Sequence, residues 1–287
     1  MDSAWTLGGL SFTELIRRTA RESWNDAVFG QGGRMAFYHF LALFPSLVVL
    51  LTITAQIPHL GREIDASLQD MSAQILPTPA SGLFRQIMLE FHGRVLSATE
   101  VFGVWAGAVW AALNGTYAMV YGLNVAYEVQ EHRSWYKLGI TICGLATCGS
   151  IIGCTALLFI LSGTRIEAHF RASTLMLHSV QWIVLIALSL LWFAVLYRFA
   201  PNLRDHKWQW STPGAICALL LWVTALLLAR LYFEHVNDYS RSYGHLNSAV
   251  MLLLWLYVAN GSILIGGEMN SEIQKATNAR QGDRSGC

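Results

Sequence analysis

Five polar residues in one apolar stretch have the spacing most suggestive of chemistry. Asn114, Tyr117, Tyr121, Asn124 and Glu128 follow at i, i+3, i+7, i+10 and i+14. Successive helical steps of about 100° place them along a single stripe. A polar stripe facing hydrocarbon is costly, so it must face protein or a water-filled path. Two readings stand open: interhelical hydrogen bonding, at about 0.6 kcal/mol per bond, or the lining of a substrate route. A second set, Tyr257, Asn260, Gly267, Glu268 and Glu272, falls near one face of a later helix. Asn114-Gly115 and Asn260-Gly261 each precede a further asparagine, Asn124 and Asn270, by the same ten residues, a faint parallel repeat. Glu268 reads as an exposed boundary charge, the partner of a buried cation, or a protonatable coupling site. His39 is a further path candidate beside the packing role that a lone histidine usually has. Pro45 and Gly244 are hinge candidates, the proline because it removes a backbone donor inside a helix.

Signatures of catalysis are missing from the chain. There is no GxSxG, HExxH, Walker loop or paired CxxC. A ribonuclease would call for clustered carboxylates or a His pair beside a basic groove, and neither pattern occurs. No catalytic residue, metal site or cofactor is therefore expected. The formal net charge of +1 gives no basic face for nucleic acid. Cys143, Cys148, Cys154, Cys217 and Cys287 form no ligand spacing and read as small apolar filler.

The elements that must carry these residues follow from the distribution of charge. Only 13% of residues are charged and 54% are hydrophobic, against roughly 25% charged in a soluble domain. Six windows hold no Asp, Glu, Lys or Arg: 35–61, 101–127, 138–164, 172–197, 208–229 and 242–267. A helix needs about 20 apolar residues to cross a bilayer. The expected fold is therefore all-α and polytopic, with six transmembrane helices at about 35–57, 101–124, 138–162, 176–199, 211–233 and 247–268. Ser211-Thr212-Pro213-Gly214 supplies a capped start for the fifth.

Ahead of them, residues 13–29 repeat small or apolar positions every four residues, with Arg17, Arg18, Arg21 and Glu22 opposite. This predicts an amphipathic helix lying in the membrane interface. Gly30, Gly32 and Gly33 are expected to break it and turn the chain into the bilayer. The start of the chain lacks the apolar run of a cleaved leader, so the first hydrophobic segment should act as an uncleaved insertion signal. Loop 58–97 reads as a small helical periplasmic loop of two amphipathic helices, about 61–75 and 81–95, split at Pro77-Thr78-Pro79. A polar cytoplasmic tail occupies 271–287. With the N-terminus inside, twelve of the nineteen Lys and Arg lie on the inner segments, which predicts cytoplasmic termini.

Several segments, in order, resemble the YihY/BrkB family of bacterial inner-membrane proteins. They are Phe37-Tyr38-His39-Phe40-Leu41-Ala42-Leu43-Phe44-Pro45, Asn124-Val125-Ala126-Tyr127-Glu128, and Trp208-Gln209-Trp210-Ser211-Thr212-Pro213-Gly214-Ala215. The last set is Tyr243-Gly244, Leu252-Leu253-Leu254-Trp255-Leu256-Tyr257 and Gly266-Gly267-Glu268-Met269-Asn270. Gly266-Gly267 departs from the Leu-Gly or Gly-Ala pair common in the family. The resemblance implies six helices, an inner-membrane location, an association with virulence, and an old ribonuclease label regarded as a misassignment.

Together the stripe, Pro45 and the resemblance predict a transporter or flippase-like exporter of an amphipathic envelope substrate, a lipid or related molecule. The alternative is a structural, virulence-associated envelope protein acting through partner or lipid contacts without transport. Membrane lipids are the expected partners, and nucleic acid is not.

Overall fold

The computed structural model describes residues 4–55, 85, 86, 89, 97–170, 174–203, 212–235 and 239–285. Loop 58–97, with the two outer helices expected there, lies almost wholly outside the described residues. The described chain is all-helical. A 3-10 turn at Ala4–Gly9 precedes seven α-helices: α1 (Phe12–Asn25), α2 (Val28–Ala55), α3 (Ala98–Ala126), α4 (Trp135–Phe170), α5 (Thr174–Phe199), α6 (Pro213–His235) and α7 (Tyr239–Ser285). Three stretches are long and apolar enough to cross a membrane: Trp135–Phe159, Ser179–Phe199 and Ala249–Gln281.

The helix ends follow local chemistry. Ser11 caps α1 by accepting the Glu14 N–H on Oγ at 3.2 Å. At α3, Ser97 Oγ accepts the Glu100 N–H at 3.3 Å, while the Glu100 carboxylate accepts the Ser97 N–H at 2.8 Å. This is a capping box. The end of α3 is a Schellman turn: Val129 N–H donates to Asn124 O and Glu128 N–H to Val125 O, at 2.9 and 2.8 Å. The turn requires a left-handed residue, and Glu128 supplies it at φ 51°. Thr212 caps α6 through Oγ1 to the Ala215 N–H at 3.2 Å, with Pro213 as the first helical residue.

The corner between α1 and α2 differs from expectation. The break falls at Asp26 and Ala27, with Ala27 left-handed at φ 50°. Helix α2 then runs through Gly30, Gly32 and Gly33, and through Pro45. One residue in the left-handed region makes the turn, so the glycines are not needed there. Beyond residue 270 the polar segment simply continues α7 to Ser285.

The chain forms two compact units. The first comprises residues 1–34, 116–222 and 259–287, the second 35–115 and 223–258. In the first, α4 packs on α5, with Trp192 lying close over Gly149. Gly214 of α6 and Gly266 of α7 meet backbone to backbone, and a Cβ on either would collide with the other's carbonyl. Tyr197 lies over the same crossing and donates to Ile263 O at 2.8 Å. Leu15 of α1 packs with Met269 and Ile273 of α7. Arg280 donates to Gly9 O at 3.0 Å, tying the N-terminal turn to α7. Cys143 and Cys154 are exposed on α4 rather than packed inside. In the second unit, Gly115 lets α3 approach the His39 ring, and Tyr38 meets Trp110 edge to face at 6.3 Å.

Candidate functional site

The first unit holds the densest polar grouping. Helix α1 presents Leu15, Thr19 and Ser23 on one buried face. Asp26 follows within about 60° of that face, by helical spacing. Leu15 sits on Met269 and Ile273 of α7, so the next turns of α1 run along α7 toward Glu268. The Glu268 carboxyl is fully buried, and neither of its oxygens has a hydrogen-bond partner. Asp26 Oδ2, Thr19 Oγ1 and Ser23 Oγ are likewise buried and unpartnered. The Asp26 and Glu268 carboxyls stand within hydrogen-bonding reach of each other, yet two carboxylates have no hydrogen to donate. Burial pushes the Asp26 carboxyl above the usual carboxylate range. Glu268, if protonated and donating, would oppose that; Glu128 and Glu22 reinforce it, and Lys275 opposes it.

Lys275 is engaged elsewhere, with Nζ at 2.8 Å from both Glu128 and Glu272. Glu128, expected at the end of the α3 stripe, is therefore turned off that helix by its left-handed backbone. It is exposed, and its partner is Lys275. Glu268, one of whose readings was an exposed boundary charge, is instead enclosed, because α1 covers this end of α7.

Asn124 is engaged by protein at both ends of its amide. Its Nδ2 donates to Glu131 at 2.9 Å, and its Oδ1 accepts the Asn202 N–H at 2.8 Å. Glu131 in turn holds Arg133 at 2.6 Å, and Arg133 donates to the terminal α5 carbonyls of Phe199 and Ala200. Burial pushes the Glu131 carboxyl up, but Arg133 and Asn124 outweigh it and hold the group below the usual range. Asn270 caps α6: its Oδ1 accepts the Gly214 N–H and its Nδ2 donates to Thr212 Oγ1, each at 3.0 Å. Asn260 is buried.

One turn up α3, Tyr117 and Tyr121 are exposed, and the Arg34 guanidinium of α2 lies over both rings, 5.6 and 5.1 Å from their centroids. Arg34, Asp26, Thr19 and Ser23 were not taken from sequence as site residues; Thr19 and Ser23 were read only as part of the small or apolar face of residues 13–29. The interval Thr19–Ser23–Asp26 is the one signal that could have marked the last three, as a polar run along the face that carries Leu15.

In the second unit, Asn114 is half-buried and donates to its own helix at Trp110 O, 2.8 Å away. His39, half-buried, packs against Gly115. Pro45 lies inside α2, and Tyr257 and Gly244 lie in α7. Among the described residues no three His, Cys, Asp or Glu side chains are grouped to hold a metal ion.

The sequence profile described as virulence factor BrkB matches residues 19–286. YfkH of Bacillus subtilis, which its name calls ribonuclease-like, is 29% identical over 85% of this chain and 90% of its own length. A UPF0761 membrane protein of Idiomarina loihiensis is 25% identical over 85% of this chain and 84% of its own. Another, from Vibrio campbellii, is 27% identical over 91% and 81%. No solved structure matches the chain.

Proposed function

The chain belongs to the BrkB virulence-factor family of membrane proteins, and on that premise we propose that it is a transporter, a flippase-like exporter of an anionic amphipathic envelope substrate. It crosses the bacterial inner membrane six times, through α2 to α7, with both termini cytoplasmic and α1 at the interface. The observation that carries the reading is the Arg34–Tyr117–Tyr121 ladder. A guanidinium and two phenols share one exposed face of α2 and α3, two helices that this reading sets across the bilayer. Such a group is costly against hydrocarbon and fits a route that admits water and headgroups. Arginine matches phosphate and carboxylate through paired N–H donors, and the aromatic faces hold it in place. The relatives named as membrane proteins support the membrane part of this reading. YfkH's ribonuclease-like name is the name of that relative, and no nuclease activity is proposed for this chain.

Cysteines at 117 and 121, introduced after removal of the native ones, test the path. They should react with small hydrophilic thiol reagents in intact cells, while cysteines at buried Ala118 and Val120 stay inert. Equal silence at all four would remove the path. The Asn124 bonds favour the structural alternative for that residue alone: its amide is consumed in holding α3, residue 131 and residue 202 together.

A further inference from the structure

The unpartnered carboxyls of the first unit have a requirement that no described side chain meets. Glu268 is enclosed, and both of its oxygens lack a donor. The nearest ammonium, Lys275, is spent on Glu128 and Glu272. Thr19 and Ser23, both buried on the α1 face, do not reach the carboxyls. An ionised carboxylate in that setting carries a large desolvation penalty, and a second carboxylate beside it adds repulsion.

We propose that Asp26 and Glu268 form a proton-binding site in which one proton is held between the two carboxyls. An O–H on one donates to an oxygen of the other, which gives each carboxyl one hydrogen bond and leaves a single negative charge. Asp26 is the side open to water, being only half-buried at the α1–α2 corner, so the proton enters and leaves through it. Glu268, enclosed on α7, is the inner member. The titratable groups around the pair are Glu22 on α1, Glu128 at the end of α3 and Lys275 on α7, and the buried Tyr127 phenol beside Glu128 also faces Glu268. Two carboxylates against one ammonium favour retention of the proton. Loss of the proton would leave two adjacent anions, one on α1 and one on α7. Their repulsion would loosen α1 from the end of α7, so the site couples proton occupancy to the docking of α1. Nothing in this inference depends on transport: a protein that moves no substrate would still carry the site.

The test uses the full-length protein in detergent and reads the pair directly. Infrared difference spectra between about pH 5 and pH 9, on either side of neutrality, should contain the C=O stretch of a protonated carboxyl at the lower pH. It should disappear as pH rises. In Glu268→Gln, and separately in Asp26→Asn, that band should vanish or move. The wild-type melting temperature should fall over the same pH range, and should be indifferent to replacing choline chloride by sodium chloride. The proposal is overturned if the wild type has no titrating carboxyl band. It is equally overturned if sodium raises the melting temperature by about 3 °C or more per tenfold increase, since the pair would then hold a metal cation. Should both variants fail to fold, the wild-type band and its pH course decide alone.

Discussion

Asn270→Ala tests how α6 is joined to α7. The Asn270 Oδ1 accepts the Gly214 N–H at 3.0 Å in a buried setting, and Nδ2 donates to Thr212 Oγ1. Gly214 lies in the first turn of α6, where backbone N–H groups have no partner within the helix. Alanine leaves that N–H buried beside Gly266, where the backbones of the two helices touch and leave little room for water. An unsatisfied buried donor costs about 1–3 kcal/mol, and loss of a side-chain cap about 1 kcal/mol. These describe the same loss seen twice, so the expected destabilisation is about 2 kcal/mol. For a chain of this length that lowers the melting temperature by about 4–8 °C. Intrinsic fluorescence of the eleven tryptophans reads the transition in detergent. Asn270→Asp retains the acceptor at a helix N-terminus that favours negative charge, and should recover at least half of the loss. The reasoning fails if alanine costs less than about 0.5 kcal/mol, or if aspartate is as damaging as alanine.

Three further outcomes follow from the same geometry. Tyr197→Phe removes the donor to Ile263 O while keeping the ring over the Gly214–Gly266 crossing, and should cost about 1 kcal/mol in thermal unfolding. Glu128→Gly relieves a left-handed residue, worth about 1 kcal/mol, and forfeits an exposed ion pair to Lys275 worth at most about that; Glu128→Ala forfeits the same pair without the relief, so thermal unfolding should show the glycine variant more stable than the alanine one by about 1 kcal/mol. The Glu131 carboxyl is held below the usual range, so its contribution is present above the ordinary carboxylate pKa and is lost as pH falls through the depressed value. Arg133→Ala should therefore destabilise at neutral pH and flatten acid unfolding below about pH 4.

Much of the helical layout was legible from charge alone. Each of the six charge-free windows falls largely within one of α2 to α7, because a long apolar run has few alternatives to a helix. The α6 start at Thr212-Pro213 was equally visible, since a hydroxyl cap and a first-turn proline act locally. The carboxyl pair was not. Asp26 and Glu268 are brought together by the packing of α1 on α7, and no local spacing encodes that. The α1 face was read as suited to lipid because Leu15, Thr19 and Ser23 are small or apolar; the structure lays it on protein. The stripe on α3 was read from spacing alone, and spacing can tell neither that Glu128 lies past the helix end nor a bonded amide from an open one. Asn124 is taken up by Glu131 and Asn202, while Tyr117 and Tyr121 stand open beside Arg34. The glycines after α1 suggested a turn by composition, and a single left-handed alanine made it instead.

The central claim is movement of an anionic amphiphile along the Arg34–Tyr117–Tyr121 face. Its most direct measurement is lipid translocation in vesicles reconstituted with the purified protein and a trace of fluorescent phosphatidylglycerol. Dithionite destroys the outer-leaflet fluorophore and cannot cross the bilayer. With wild-type protein the bleached fraction should exceed that of protein-free vesicles. With Arg34→Gln, at an unchanged melting temperature, it should fall back to the protein-free value. Wild-type vesicles that bleach no further than empty ones, or no further than those carrying Arg34→Gln, would contradict the account.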